Sequence, residues 1–242
     1  MLPFTNRLRN AQLVWATERI HLTPQPDQHH ALHGVGHRRS WEVVQTSSHS
    51  LTLSLKHDQP DADWPWRFVA EMSYTLTPDG LEVCITLKNT STVDMPAAIG
   101  WHPFLPLITN TITTYGNINV SARQSHDIGP EGLSRAFLSA TNSVVRKFSL
   151  STCIPQTTAY EGWDGQLFIA ADATRMVCVS SSNASCLVLH VPNGRRYICA
   201  EPVSVLPGAF ENYSDIQKRA YVALAPGAKR EITCSIGVVA RP

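Results

Sequence analysis

The chain has 242 residues, 43% of them apolar and 16% charged, with a net charge of +1. That balance excludes a disordered chain, and the even spread of charge gives no electrostatic footprint for nucleic acid. There is no run of 18 apolar residues, so no membrane-spanning helix is expected. The start, MLPFTNRLRN, carries charge and proline where a secretion signal needs an apolar stretch, which points to the cytoplasm. Six cysteines form no C-x-x-C pair and sit mostly in apolar runs, as expected for reduced core thiols. The length suits one domain with a sizeable core, taken as residues 1–242.

At the N-terminus, Asn6 and Arg7 put an amide beside a guanidinium, which offers many donors to hydroxyl oxygens or makes an ordinary surface pair. The stretch HHALHGVGH (29–37) holds four histidines. His33 and His37 are four apart, but Gly34 and Gly36 lie between them, against a helical metal site, and no cysteine or H-E-x-x-H partner is near. A glycine-eased turn is the better reading. His29, His30 and His37 read as solvated, while His33 precedes a glycine that would let a ligand approach.

SLTLSLKH (50–57) alternates leucine with polar residues and predicts a strand. FVAEMSYTLT (68–77) and GLEVCITLKN (80–89) flank Pro78-Asp79-Gly80, which predicts a hairpin. In IGWHPFLPL (99–107), His102 lies inside an apolar run. It is either a core histidine with a backbone partner or a side chain facing a cleft from a proline-flanked strand end. Residues 108–130 are polar and predict a long loop, and EGLSRAFLSA (131–140) predicts one short helix.

AYEGWDGQLFIA (159–170) sets Trp163 and Asp164 between glycines. An aromatic face beside a carboxylate suits a sugar, and a tight turn with Trp163 as a core plug suits the pattern equally. Further strands are predicted at 166–171, 175–181, 185–192, 196–202, 220–226 and 230–239, separated by turns such as Asn193-Gly194 and Pro226-Gly227. Glu201 ends the apolar run RYICAEP. Carboxylates are seldom buried unless paired or functional, so Glu201 is a candidate general base, or else a rim salt bridge. Many short strands with few helices make the fold all-β, a large antiparallel sandwich or barrel.

The order of motifs carries more than any one of them. Asn6-Arg7, Leu32-His33-Gly34, Asp79-Gly80-Leu81, Gly100-Trp101-His102-Pro103-Phe104, Gly162-Trp163-Asp164-Gly165 and Glu201-Pro202 follow one another along nearly the whole chain. This order resembles the aldose 1-epimerase (galactose mutarotase) family, in its bacterial branch with a G-x-H-P-F stretch. The resemblance implies a galactose mutarotase-like antiparallel β-supersandwich with the sugar in an open cleft, and interconversion of the α and β anomers of a hexose without cofactor or metal. It implies that His102 is the general acid toward the ring oxygen and Glu201 the general base toward the anomeric hydroxyl. His33 and Arg7, with Asn6 beside them, would bind substrate, with Trp163 and Asp164 as further sugar contacts. A monosaccharide partner and a monomeric or homodimeric chain go with this reading.

Two departures qualify the resemblance. The family carries further residues ahead of its Asn-Arg motif, including first strands. A sandwich that lacks those first strands is expected to expose sheet edges and to leave Asn6 and Arg7 on a loosely tied terminus. Related sequences also carry an aspartate shortly before the Gly-Trp-Asp-Gly turn. Here that place is Thr157 or a neighbour, leaving Glu161 or Asp164 to compensate. The alternatives are a non-catalytic carbohydrate-binding or sensing module on the same fold, and a hexose-6-phosphate mutarotase that uses Arg38-Arg39 or Arg195-Arg196.

Overall fold

The computed structural model describes residues 1–106, 117–129, 133, 144–149, 156–172, 174–194, 197–210 and 222–240. The predicted 131–140 helix lies outside the described residues apart from Leu133, as do Cys153, Arg195 and Arg196.

The hairpin predicted around Pro78-Asp79-Gly80 forms as expected. Phe68–Thr77 and Gly80–Asn89 pair from Phe68↔Asn89 to Thr77↔Gly80. Gly80 has φ 153°, and a Cβ there would overlap the Ile236 carbonyl oxygen, so the turn needs glycine. In Gly80–Asn89 the alternation buries Val83, Ile85 and Leu87, each contributing about 1.5–3 kcal/mol.

Among the described residues this hairpin sits in a nine-stranded antiparallel sheet. Edge to edge, its strands are Val144–Ser149, Asn117–Ala122, Gln166–Ala170, Arg175–Ser181, Lys229–Ala240, Gly80–Asn89, Phe68–Thr77, Ser50–His57 and Glu42–Thr46. A five-stranded antiparallel sheet runs Phe104–Pro106, Tyr197–Val203, Cys186–Val191, Gln156–Glu161 and Gln124–Ile128. The region 117–128, expected as loop, therefore supplies one strand to each sheet. Its polar composition hides strands that distant partners pair, Asn117–Ala122 on both sides and Gln124–Ile128 along one.

The main core lies between the sheets. Val83, Ile85, Leu87, Leu167, Val179 and Ile232 of the larger sheet join Tyr160, Leu187, Leu189, Ile198 and Ala200 of the smaller one. Alternation then sends Cys186, Val188, Val203 and Ala159 to the opposite face of the smaller sheet, where they form a second apolar cluster with Ile128 and Leu206. The free edge Glu42–Thr46 is exposed at all five positions.

The N-terminal segment is firmly tied. Arg7–Leu8 pairs with Ala31–Leu32. The Ala98 N–H donates to the Pro3 carbonyl at 2.6 Å, and the Gly100 N–H to the Met1 carbonyl at 3.0 Å. The expectation of a loose Asn6-Arg7 segment is thereby corrected, because both ends of residues 1–8 find backbone partners. Among the described residues no helix is long and apolar enough to cross a membrane.

Candidate active site

Backbone pairing brings His102 and Glu201 together. Gly100 bridges Val203, the Trp101 N–H donates to the Pro202 carbonyl at 3.0 Å, and Phe104 pairs with Cys199. That continuous antiparallel register sets His102 opposite Glu201, and paired residues share a face of the sheet. Their side chains meet with Nε2 of His102 3.3 Å from Oε1 of Glu201. The His102 ring stacks on Phe104 at 4.9 Å between centroids.

Glu201 projects from the Tyr197–Val203 strand, second from the edge, on the face carrying the second apolar cluster. It pairs with Val188 and is 5% exposed. Burial pushes its carboxyl up to about 8, although the Met1 ammonium and the Arg7 guanidinium oppose the shift. Burial also brings the His102 imidazole down to about 4. Both shifts disfavour charge, so near neutral pH the pair carries one proton between them, with apparent values that belong to the pair.

His33 stands against this pair, its ring edge-on to His102 at 5.2 Å. The turn holding it is strained in the way its sequence suggests. His33 has φ 56° and Gly34 φ 69°, and a Cβ on Gly34 would overlap the Leu2 carbonyl. Asn6 clamps the histidine from both sides. The His33 N–H donates to the Asn6 carbonyl at 2.9 Å, and the Asn6 N–H donates to Nδ1 of His33 at 3.2 Å. A ring that accepts at Nδ1 carries its hydrogen on Nε2 when neutral. His33 is held neutral: burial first, then the charges of His102, the N-terminus, His37 and Arg7, bring it down to about 2. Arg7 is half-buried beside Glu201, and burial lowers its guanidinium while Glu201 raises it.

The other three histidines of the 29–37 stretch do not converge on His33 as a metal site. Nδ1 of His30 accepts the Asn10 N–H at 3.0 Å, the His37 ring is 6.3 Å from His33, and His29 is exposed.

Two sequence candidates are placed elsewhere. Trp163 is 5% exposed within the main core, and its indole N–H donates to the Gln166 carbonyl at 2.8 Å. Oδ1 of Asp164 accepts the Gln166 N–H at 3.0 Å. By register, Glu201 lies across from Val188 and that residue from Ala159, so Trp163 stands well along the sheet from the pair. The indole N–H is thus taken up within the turn, and one carboxylate oxygen of the exposed Asp164 braces it. Glu161, the other residue named for the aspartate's role, has its Oε2 3.5 Å from Nε2 of His126.

Three further residues share the face of Glu201, and of them the sequence pointed only to the place of Thr157. Cys199 lies two positions earlier on the same strand and pairs with His190. Nδ1 of His190 is 2.8 Å from Oγ1 of Thr157, the residue at the aspartate's place. Burial, then the charge of Arg7, lowers the His190 imidazole, which places Arg7 within electrostatic reach. Period-2 counting from Glu201 could have found Cys199, whereas His190 and Thr157 needed the strand register.

The aldose 1-epimerase family model matches residues 1–237. The uncharacterized protein YphB of Escherichia coli (strain K12) is 24% identical over 251 residues, covering 98% of this chain and 82% of that protein. Two solved structures share the fold. A galactose mutarotase-like protein from Clostridium acetobutylicum has a TM-score of 0.77 at 14% identity, covering 98% of this chain and 78% of that one. A GalM/aldose epimerase homologue from C. elegans has a TM-score of 0.76 at 16% identity, covering 99% and 81%. With a sandwich of this topology, a partly exposed histidine against a buried glutamate on its smaller sheet and a family match from the first residue to the last long strand, the chain belongs to the aldose 1-epimerase family.

Proposed function

We propose that this chain is a mutarotase that interconverts the α and β anomers of a hexose by acid–base ring opening at His102 and Glu201. The observation that carries the reading is the 3.3 Å separation of His102 Nε2 and Glu201 Oε1, with the neutral His33 ring alongside. The two groups are adjacent rather than facing each other across a ring. Adjacency fits the chemistry, because the anomeric hydroxyl and the ring oxygen are bonded to the same carbon.

The pair's single proton can sit as carboxylic acid and imidazole or as carboxylate and imidazolium. In the second form Glu201 takes the proton of the C1 hydroxyl while imidazolium His102 gives its proton to the ring oxygen. The C1–ring oxygen bond breaks and an aldehyde forms. Rotation about C1–C2 turns the other face of the carbonyl to the attacking hydroxyl. Closure returns each proton to the group that held it, so the pair is regenerated and no oxidant or group donor is consumed. Each arm contributes about 10²–10⁴-fold. Nε2–H of His33 and the guanidinium of Arg7 are the donors assigned to sugar oxygens, with Asn6 acting through its backbone to hold the His33 ring.

A phosphorylated substrate has less support. Arg39 is committed to Asp61 and Asp63 at 2.6 and 2.7 Å, and Arg38 lies 3.7 Å from Asp63. A reducing, cytoplasmic setting fits the free thiols at Cys84, Cys178, Cys199 and Cys234. The test is polarimetry of freshly dissolved α-D-glucose and α-D-galactose. The intact protein should speed the decay of rotation, and His102→Asn and Glu201→Gln should each abolish that gain. Full rates in both variants would refute the assignment. Hexose binding without turnover by the intact protein would select a binding module instead.

A further inference from the structure

We infer that His102, Cys199 and Glu201 form a site for a borderline-soft divalent metal ion, Zn²⁺ in particular, and that metal there inhibits the protein. Cys199 precedes Glu201 by two positions on the Tyr197–Val203 strand, so both side chains leave the same face. Register sets His102 opposite Glu201 on that face. One ligand atom from each of the three falls within 4.8 Å of the other two. The set is one imidazole nitrogen, one sulfur and one carboxylate oxygen, the donor mixture zinc accepts, at about 2.0–2.3 Å from each after small side-chain rotations. Cys199 and Glu201 are buried and rigidly placed by their strand, while His102 is partly exposed and opens the site to solvent. Three protein ligands leave a fourth position for water.

Binding forms a metal–sulfur bond as the Cys199 thiol gives its proton to solvent, so affinity rises with pH. The ion occupies the lone pair of His102 and an oxygen of Glu201, which the proposed acid–base chemistry needs free. Metal occupancy stands independently of that chemistry. Only the inhibitory consequence rests on the mutarotase reading.

The test uses the full chain after chelator treatment, titrated with Co²⁺ and followed by near-ultraviolet and visible absorption, with Zn²⁺ added in competition. The expected result is a thiolate-to-cobalt charge-transfer band that Zn²⁺ displaces. Cys199→Ala and Cys199→Ser should both lose it, and His102→Asn should weaken metal binding about tenfold or more. In the mutarotation assay Zn²⁺ should inhibit the intact protein reversibly on chelation. Cys199→Ser should keep its basal rate and need at least about tenfold more Zn²⁺ for the same inhibition. A band that persists in both Cys199 variants, or no band in the intact protein, overturns the site. Equal Zn²⁺ inhibition of the intact protein and Cys199→Ser overturns the inhibitory role. If the protein has no mutarotase activity, the absorption titration alone decides.

Discussion

Two glycine-bounded turns look alike in sequence and differ in what their polar atoms are free to do. Leu32-His33-Gly34 and Gly162-Trp163-Asp164-Gly165 each present an aromatic, hydrogen-bonding side chain beside glycines in the left-handed region. At the first, the ring's Nδ1 takes a backbone N–H, which fixes the tautomer and leaves Nε2–H beside His102. At the second, the indole N–H donates to the Gln166 carbonyl, and one carboxylate oxygen of Asp164 accepts the Gln166 N–H. A residue suited to sugars serves a site only where the fold leaves it an unspent donor or acceptor.

The largest expected effect lies at the second turn. Trp163→Ala should destabilise the fold by about 3–5 kcal/mol, the usual cost of removing a buried large aromatic side chain. Denaturant unfolding measures that loss, and the folded fraction should keep nearly normal kcat/KM. A variant of full stability with a large rise in KM would reverse the contrast between the turns.

His33→Ala should do the opposite. On the proposed mechanism it removes one donor to the sugar, and it also removes the acceptor of the Asn6 N–H, so kcat/KM should fall by about 1–3 kcal/mol, roughly 5- to 150-fold. His29→Ala and His30→Ala should change kcat/KM far less, and comparable losses in all three would sink the assignment of His33.

How much of this was legible follows the same division. The hairpin from Phe68 to Asn89 was readable because alternation and the Pro78-Asp79-Gly80 turn act locally. The strands within 117–128 were not, because their pairing is set by distant neighbours rather than by their own composition. His102 and Glu201 could be flagged as a polar group in an apolar run and a carboxylate at a strand end. Their 3.3 Å contact depends on a register between segments far apart in sequence. The meeting of His190 with Cys199 and Thr157 was invisible for that reason, and Trp163 was ambiguous because indole chemistry is the same in a core as in a sugar site.

The pH profile sharpens the contrast further, since His33 is held neutral and should not titrate in the working range. The dyad carries its one proton between about 4, where His102 gains a second, and about 8, where Glu201 loses the last. The kcat/KM profile should therefore be a bell whose acid limb lies near the first value and whose alkaline limb lies near the second. The fall should be about tenfold, or 1.4 kcal/mol, for each pH unit beyond a limb. A profile with a single limb near the ordinary histidine value would mean that burial does not tune the pair.

The smallest effect is at Asp164. Its carboxylate makes one hydrogen bond to the Gln166 N–H in an exposed turn. Asp164→Ala should therefore cost about 0.5–1.5 kcal/mol of stability, seen as a modest drop in Tm, with KM for the sugar unchanged. Asp164→Asn keeps an acceptor oxygen for the same N–H and should recover most of that loss. This pair of variants separates a turn brace from a sugar ligand: a brace tolerates the amide and leaves KM alone, whereas a carboxylate that grips hydroxyls would raise KM in both while leaving Tm nearly unmoved.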